Sequence, residues 1–327
     1  MPTPDVTVVV ITHRGRDLLP ACLDSLTAQS VPHRLLVIDN ASTDGTAELL
    51  AARLAPGQVV RLDCNTGFAG GAAEALARVR TRFVALLNDD AQAAPEWLES
   101  LLQQAVSASP LDRRVAAWTS VMVHSDKPDV VQNAGAGLLD NGYGIDLLAG
   151  SPVGAAAVDT EVFGFCGGAA LLRTAAVRAV GGFPAEFFLY YEDLDTSWRL
   201  RAAGWQIRRV SASRVSHAHS ATSDRHSELF HRHNERNRLW CLIRNAPSTA
   251  ATRGVVRFAV TTASLAARRA LRQRVPDQPN LQPGLRLRVL EEVLTALPRL
   301  LGERRALTAR AAVSRRDIWE EWAGRTD

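Results

Sequence analysis

Residues 83–91, FVALLNDDA, constrain this chain more than any other stretch. Five apolar residues, Phe83-Val84-Ala85-Leu86-Leu87, run without alternation into Asn88-Asp89-Asp90. Such a run fits a strand buried on both faces of a parallel sheet. Asn and Asp are poor strand residues, so the strand ends there. Adjacent carboxylates at the carboxyl end of a buried strand repel each other, and a cation between them and a ligand relieves the repulsion. Ligands of open α/β sheets bind along that edge. One reading is a divalent cation held against a diphosphate. The other is a solvated turn whose acids cap a helix starting near Pro95.

The flanking sequence repeats one unit. Residues 6–11 (VTVVVI) and 35–38 (LLVI) read as strands, and Leu18, Leu19, Cys22, Leu23 and Leu26 between them recur at helical spacing. Ser42, Thr43 and Asp44 open a second helix, residues 59–62 form a third strand, and the glycine-rich loop 65–71 opens a helix through residue 79. Strict alternation of this kind predicts a mostly parallel, doubly wound α/β sheet. Further strands are expected at 115–123, 163–172, 205–210 and 214–216, with helices at 95–106, 174–180 and 192–203. The glycines of residues 125–160 predict loops or short hairpins beside a cleft.

Beyond residue 224 the strand patterns vanish and three helices are expected, near 225–245, 249–273 and 285–313. Charge changes at the same place. Residues 1–224 carry 18 basic and 24 acidic side chains, residues 225–327 carry 20 and 10, and Lys127 is the only lysine. The tail is therefore expected to meet something anionic. Arg253, Arg257, Arg268, Arg269, Arg272 and Arg274 mix with Val255, Val256, Phe258 and Leu265. That mixture fits a helix on an anionic membrane surface, and equally a helix docked on the domain with its arginines solvated. No stretch reaches the ~18–20 apolar residues of a membrane span. Four scattered cysteines, with no CxxC, exclude a zinc ribbon and a disulfide framework and predict a cytoplasmic setting.

Four clusters now stand in order: VTVVVITHRGRDLLPACLDSL, VIDNASTDGT, NTGFAGG, and LLNDDA followed at a distance by GFCGGAALLRTAAVRAVGGFPAEFFLYYEDLDTSWRLRAAGW. Each motif alone is weak. Together they resemble glycosyltransferase family 2, the inverting GT-A nucleotide-sugar transferases, in its bacterial rhamnosyltransferase-like branch, over residues 5–245. The resemblance implies a GT-A catalytic domain over 1–223, with a nucleotide-sugar half to about 123 and an acceptor half after it. Residues 224–327 then form a basic helical extension. It implies a dTDP- or UDP-sugar donor, dTDP-rhamnose first among them, and a lipid-linked or polysaccharide glycan acceptor at the inner membrane face. Nucleic acid is not expected as a partner.

The resemblance also implies roles. Thr12 and Arg14 lie in the nucleotide pocket, Asp39 meets the base, and Asn65, Gly67 and Gly71 form a second nucleotide loop. The acidic motif, usually DxD, reads Asn88-Asp89-Asp90 here; Asp90 and then Asp89 are the expected ligands of Mg²⁺ or Mn²⁺, and the departure at Asn88 leaves its own contact open. His217 is the further ligand, with His219 as fallback. Asp193 is the base that deprotonates the acceptor, and Glu192 contacts acceptor or positions that base. Asp195 is left as a helix cap. Arg236 or Arg238 neutralises phosphate, or else the segment caps the sheet. Two rivals remain. A sugar nucleotidyltransferase requires a basic glycine-rich loop after the first strand, and THRGRD has one glycine and no lysine. A non-catalytic nucleotide- or glycan-binding module has no need of the base.

Overall fold

The computed structural model describes residues 5–106, 114–218 and 227–326. Strand and helix alternate first: β1 (Val6–Thr12), α1 (Leu19–Thr27), β2 (Arg34–Asp39), α2 (Thr46–Arg53), β3 (Val59–Arg61), α3 (Gly67–Arg78) and β4 (Phe83–Asn88). Then come β5 (Ala91–Ala93), α4 (Trp97–Val106) and the long β6 (Val115–His124). The glycine-rich region carries β7 (Val131–Asn133), the hairpin of β8 (Ala136–Leu138) and β9 (Gly144–Asp146), and β10 (Thr160–Glu161). After it follow β11 (Ala169–Arg173), α5 (Thr174–Ala179), α6 (Glu192–Ala202) and β12 (Gln206–His217). Helices α7 (Glu228–Asn245), α8 (Ser248–Ala270), α9 (Pro283–Arg310) and α10 (Arg315–Trp322) complete the chain.

The main sheet runs β10-β12-β6-β11-β4-β1-β2-β3. β1 pairs in parallel with β2 and β4, while β11 lies antiparallel between β4 and β6. The apolar run in β4 is explained by its two covered faces. Phe83, Ala85 and Leu87 pack with Leu19, Leu23 and Trp97 on one side; Val84 and Leu86 pack with Ala72, Leu76 and Val177 on the other.

Three local features differ from the sequence expectation. β5 follows β4 after only Asp89 and Asp90, so the two acids form a tight turn rather than the cap of a helix near Pro95. The expected pair of strands at 205–216 is one strand, β12, with a bulge between Val210 and Arg214. A fourth C-terminal helix, α10, is present; its Ile318 and Trp322 are buried.

The C-terminal helices dock on α6. Trp198 of α6 shares one apolar cluster with Leu239, Trp240, Phe258, Val289 and Trp322. Many tail arginines pair inside that bundle: Arg236 with Glu292 at 3.3 Å, Arg244 with Glu303 at 3.1 Å, and Arg299 with Glu186 at 2.8 Å. On α8 itself Phe258 and Leu265 are buried while Arg253, Arg257, Arg268 and Arg269 are exposed, which fits the reading of a docked helix with solvated arginines. Among the described residues no helix is long and apolar enough to cross a membrane.

Candidate active site

The carboxyl ends of β1, β2 and β4 open into one cavity of about 540 Å³. His13, Arg14, Asn40, Asn65, Gly67 and Asp89 line one side of it, and Glu192 and Asp193 the other. A second cavity of about 440 Å³ is lined by Asp90, His217, Gln132, Asn234 and the β8–β9 hairpin. Asn88, Tyr190, Glu192 and Asp193 belong to both, so the acids form the wall between the two spaces.

The turn between β4 and β5 sends its acids in opposite directions. Asp89 joins the first cavity and Asp90 the second. Burial pushes Asp89 up to about 6; the Thr12 hydroxyl opposes that shift and the Asp90 charge adds to it. β5 then pairs with β12 so that Ala91 faces His217, which brings the imidazole Nε2 within 2.8 Å of Asp90 Oδ1. Asn88 Nδ2 lies 3.2 Å from the same nitrogen, and Gln132 Oε1 lies 2.9 Å from Nδ1.

With Gln132 accepting from Nδ1–H, the Nε2 lone pair faces a carboxylate oxygen. That contact requires a proton or a cation between the two atoms. One carboxylate and one imidazole, the latter oriented by an amide behind it, form a donor set that suits Mg²⁺ or Mn²⁺. Asp89 lines the first cavity and not the second, though the His217 and Asp90 charges both act on it. Among the described residues no group of three His, Cys, Asp or Glu is set to hold a metal. A bound ion would therefore take its remaining ligands from substrate or water. His219 lies outside the described residues.

The glycine-rich loop 65–71, expected to meet the nucleotide, is held by a residue the sequence reading passed over. Asn40 donates to Gly67 O at 2.9 Å and accepts from Thr66 N at 2.8 Å, joining the end of β2 to the start of α3. Asn65 Oδ1 accepts from Gly67 N at 2.8 Å. Thr12, Asp39 and Gly71 do not line the cavity. Asp39 is fully buried, caps the next turn through Ser42 N at 2.9 Å, and has Arg61 3.6 Å from its other oxygen. Among the described residues Asp39 Oδ2 has no hydrogen-bond partner, while Asn40, His13 and Arg14 line the cavity itself. Gly71 is required for packing, since a Cβ there would meet Ile11 Cγ2 at 2.7 Å.

Gly67 has φ +70, and a Cβ on it would fall 2.1 Å from Phe188 O. Gly67→Ala should therefore lower stability by about 1–3 kcal/mol and loosen the cavity rim, read as a lower urea midpoint with weaker nucleotide binding. An unchanged midpoint would mean that the 188 loop does not press on α3.

Asp193 sits at the first turn of α6 and accepts from Gly167 N at 3.0 Å and from Leu194 N at 2.7 Å. Burial raises its pKa, the two N–H groups oppose the rise, and Asp146 adds to it. Glu192 beside it is pushed up to about 8, by burial first and by the Asp193 charge second. The pair therefore holds a proton more readily than exposed carboxylates do.

These acids are presented by a strained segment. Phe188, Tyr190 and Tyr191 all have positive φ, at 65°, 69° and 69°. The Asn237 amide spans three carbonyls there, Phe187 at 2.9 Å, Leu189 at 2.7 Å and Tyr190 at 2.8 Å. Arg236 donates to Phe187 O at 2.7 Å and lines neither cavity, so its guanidinium is committed to the loop and to Glu292 rather than to a phosphate. Arg238 is likewise held by Glu235 at 2.8 Å. Asp195 is no simple cap. It is fully buried, 2.8 Å from Arg199, 3.6 Å from Arg244 and 2.7 Å from Asn245 Nδ2.

A sheet parallel at its centre with β11 reversed between β4 and β6, and acids gathered at its carboxyl edge, define the GT-A class of glycosyltransferases. The solved structure of GalNAc-T7 with UDP, GalNAc and Mn²⁺ superposes with a TM-score of 0.67 at 12% identity, covering 98% of this chain and 56% of that one. The chain belongs to glycosyl transferase family 2, whose family model matches residues 7–181. It is 26% identical over 262 residues to the N-acetylglucosaminyl-diphospho-decaprenol L-rhamnosyltransferase of Mycobacterium tuberculosis, covering 71% of this chain and 82% of that protein. It is 32% identical over 107 residues to the succinoglycan biosynthesis protein ExoO of Rhizobium meliloti, covering 32% of this chain and only 31% of that protein.

Proposed function

We propose that this chain moves a sugar from a nucleotide-diphosphate donor to a glycan hydroxyl, with inversion, and that Asp193 is the base. The observation that carries this is the shared wall. A donor in the cavity under β1, β2 and β4 and an acceptor in the cavity beside Asp90 would meet at Glu192 and Asp193. A hydroxyl entering from the second cavity gives its proton to Asp193, while Gly167 N–H and Leu194 N–H keep that carboxylate aimed. One base and one displacement suffice for inversion, so no second carboxylate nucleophile is needed.

Asp90 and His217 line the second cavity, next to Asn88, which borders both cavities. Mg²⁺ or Mn²⁺ held there would supply positive charge to a departing diphosphate only where that group reaches the boundary at Asn88. In the finer reading the donor is dTDP-rhamnose or another dTDP- or UDP-sugar, and the acceptor is a lipid-linked or polysaccharide glycan. The name of the mycobacterial relative supports it. Residues up to about 123 then serve the donor, residues 124–223 the acceptor, and the tail carries peripheral membrane contact. The outer side of α8, with Val256 and Val260 exposed and Arg253, Arg257 and Arg268 nearby, is compatible with that contact.

A melting screen of sugar nucleotides with Mn²⁺ and with EDTA tests the reading. One dTDP- or UDP-sugar should stabilise the protein only when Mn²⁺ is present, by about 2.7 kcal/mol at 100 times its Kd. No shift with any sugar nucleotide in Mn²⁺ would overturn it.

A further inference from the structure

A third cavity, of about 320 Å³, lies between α7, α8 and the turn before α9. Four arginines line it: Arg238, Arg253, Arg257 and Arg286. Its acids are Asp140 and Glu235. Glu235 is already engaged, accepting from Arg238 at 2.8 Å and from the Tyr143 hydroxyl at 2.5 Å.

The other three arginines have no carboxylate at ion-pair distance among the described residues, and against the four arginines the cavity holds two acids. Arg286 is only 5% exposed, yet its guanidinium donates to neutral acceptors, Thr262 Oγ1 at 3.0 Å, Asn280 O at 2.9 Å and Phe258 O at 3.1 Å. Arg253 and Arg257 form no ion pair among the described residues, and α8 contains no Asp or Glu. The Glu235 carboxylate, already engaged by Arg238 and Tyr143, is also the charge that opposes the burial of Arg286, and two more guanidinium groups beside the opening make it a place for an anion.

The position of this cavity says which anion. Tyr143 lines it, while the next residue, Gly144, lines the cavity beside Asp90; Glu235 and Asn234 divide in the same way. The two spaces thus adjoin across the β8–β9 hairpin and the first half of α7. We propose that the arginine cavity binds the phosphate or diphosphate that joins the acceptor glycan to its lipid, so that the sugar reaches Asp193 from a fixed anchor. This rests on the transferase reading above for the glycan, but the phosphate site stands on its own residues. Planar guanidinium groups suit diphosphate oxygens because each offers paired donors.

The full chain, saturated with UDP so that the donor cavity does not report, is titrated calorimetrically with inorganic pyrophosphate and with farnesyl diphosphate. Both should bind. The double variant Arg253→Ala/Arg257→Ala should bind each about tenfold more weakly or worse. Arg268→Ala/Arg269→Ala, on the same helix but outside the cavity, should match the wild type. Both substituted pairs are exposed, so the variants should fold. Equal loss in the two variants would overturn the site in favour of general charge. Binding of pyrophosphate with exclusion of farnesyl diphosphate would replace the lipid-linked anchor by a free-phosphate site. Unchanged diphosphate binding, with loss of phosphatidylglycerol-vesicle binding in the first variant, would make this face a membrane contact instead. Intact diphosphate binding without any sugar transfer would sink the transferase reading and leave the phosphate site standing.

Discussion

Asp193→Asn should lower turnover by about 10²–10⁴-fold while nucleotide affinity stays at the wild-type level. The side chain is isosteric, and its remaining carbonyl oxygen can still accept one of the two N–H groups, from Gly167 or Leu194, that aim Asp193. What it loses is the ability to take a proton. A protein that only binds nucleotide or glycan would be indifferent to the change. The pH profile gives an independent check. Burial raises the pKa of Asp193, and the neighbouring Glu192 is pushed up to about 8. A base must be unprotonated, so activity should fall as pH drops through a range above that of an exposed Asp. Asp146→Asn removes the like charge that adds to the rise of Asp193 and should move that acid limb to lower pH. If Asp193→Asn retains near-normal turnover, the proton goes elsewhere and the assignment is lost.

How much of this was readable beforehand follows from how far apart the partners are in the chain. β4 declared itself because both faces of one strand are covered, so its own residues carry the signal. Asp90 and His217 could be nominated by the family resemblance, one just past β4 and the other at the end of β12, though their meeting depends on β5, three residues that no pattern marks. Asn40 and Asn237 gave no such sign. Asn40 acts on residues 26 and 27 positions away, and Asn237 on carbonyls 47 to 50 positions away. An amide that satisfies backbone groups in another loop looks, in sequence, like any surface Asn. The charge asymmetry is partly offset within the fold for the same reason. Counting arginines in the tail does not reveal that Glu186, Glu292 and Glu303 meet several of them.

Asp195→Ala should destabilise the protein by about 3–5 kcal/mol, the cost of breaking a fully buried ion pair from one side. Read from the sequence, Asp195 is one more acid at a helix start. In the structure it ties α6 to α7, since Arg199 belongs to the first helix and Arg244 and Asn245 to the second. Its removal leaves Arg199 and Arg244, both buried, facing an empty place. Burial alone would raise the Asp195 pKa, but Arg244 and Arg199 overcome it and hold the group below the usual Asp value. A carboxylate depressed in the folded state contributes stability above its unfolded pKa and loses it as pH falls through the folded one. Wild-type stability should therefore drop along an acid arm below about pH 4, where unfolded Asp begins to take up protons. Asp195→Asn should flatten that arm while sparing side-chain volume. Urea midpoints of the three proteins from pH 3 to pH 7 decide the matter. If Asp195→Ala costs under about 1 kcal/mol, as an exposed pair would, then α6 and α7 are held together by their apolar contacts and the buried charges contribute little.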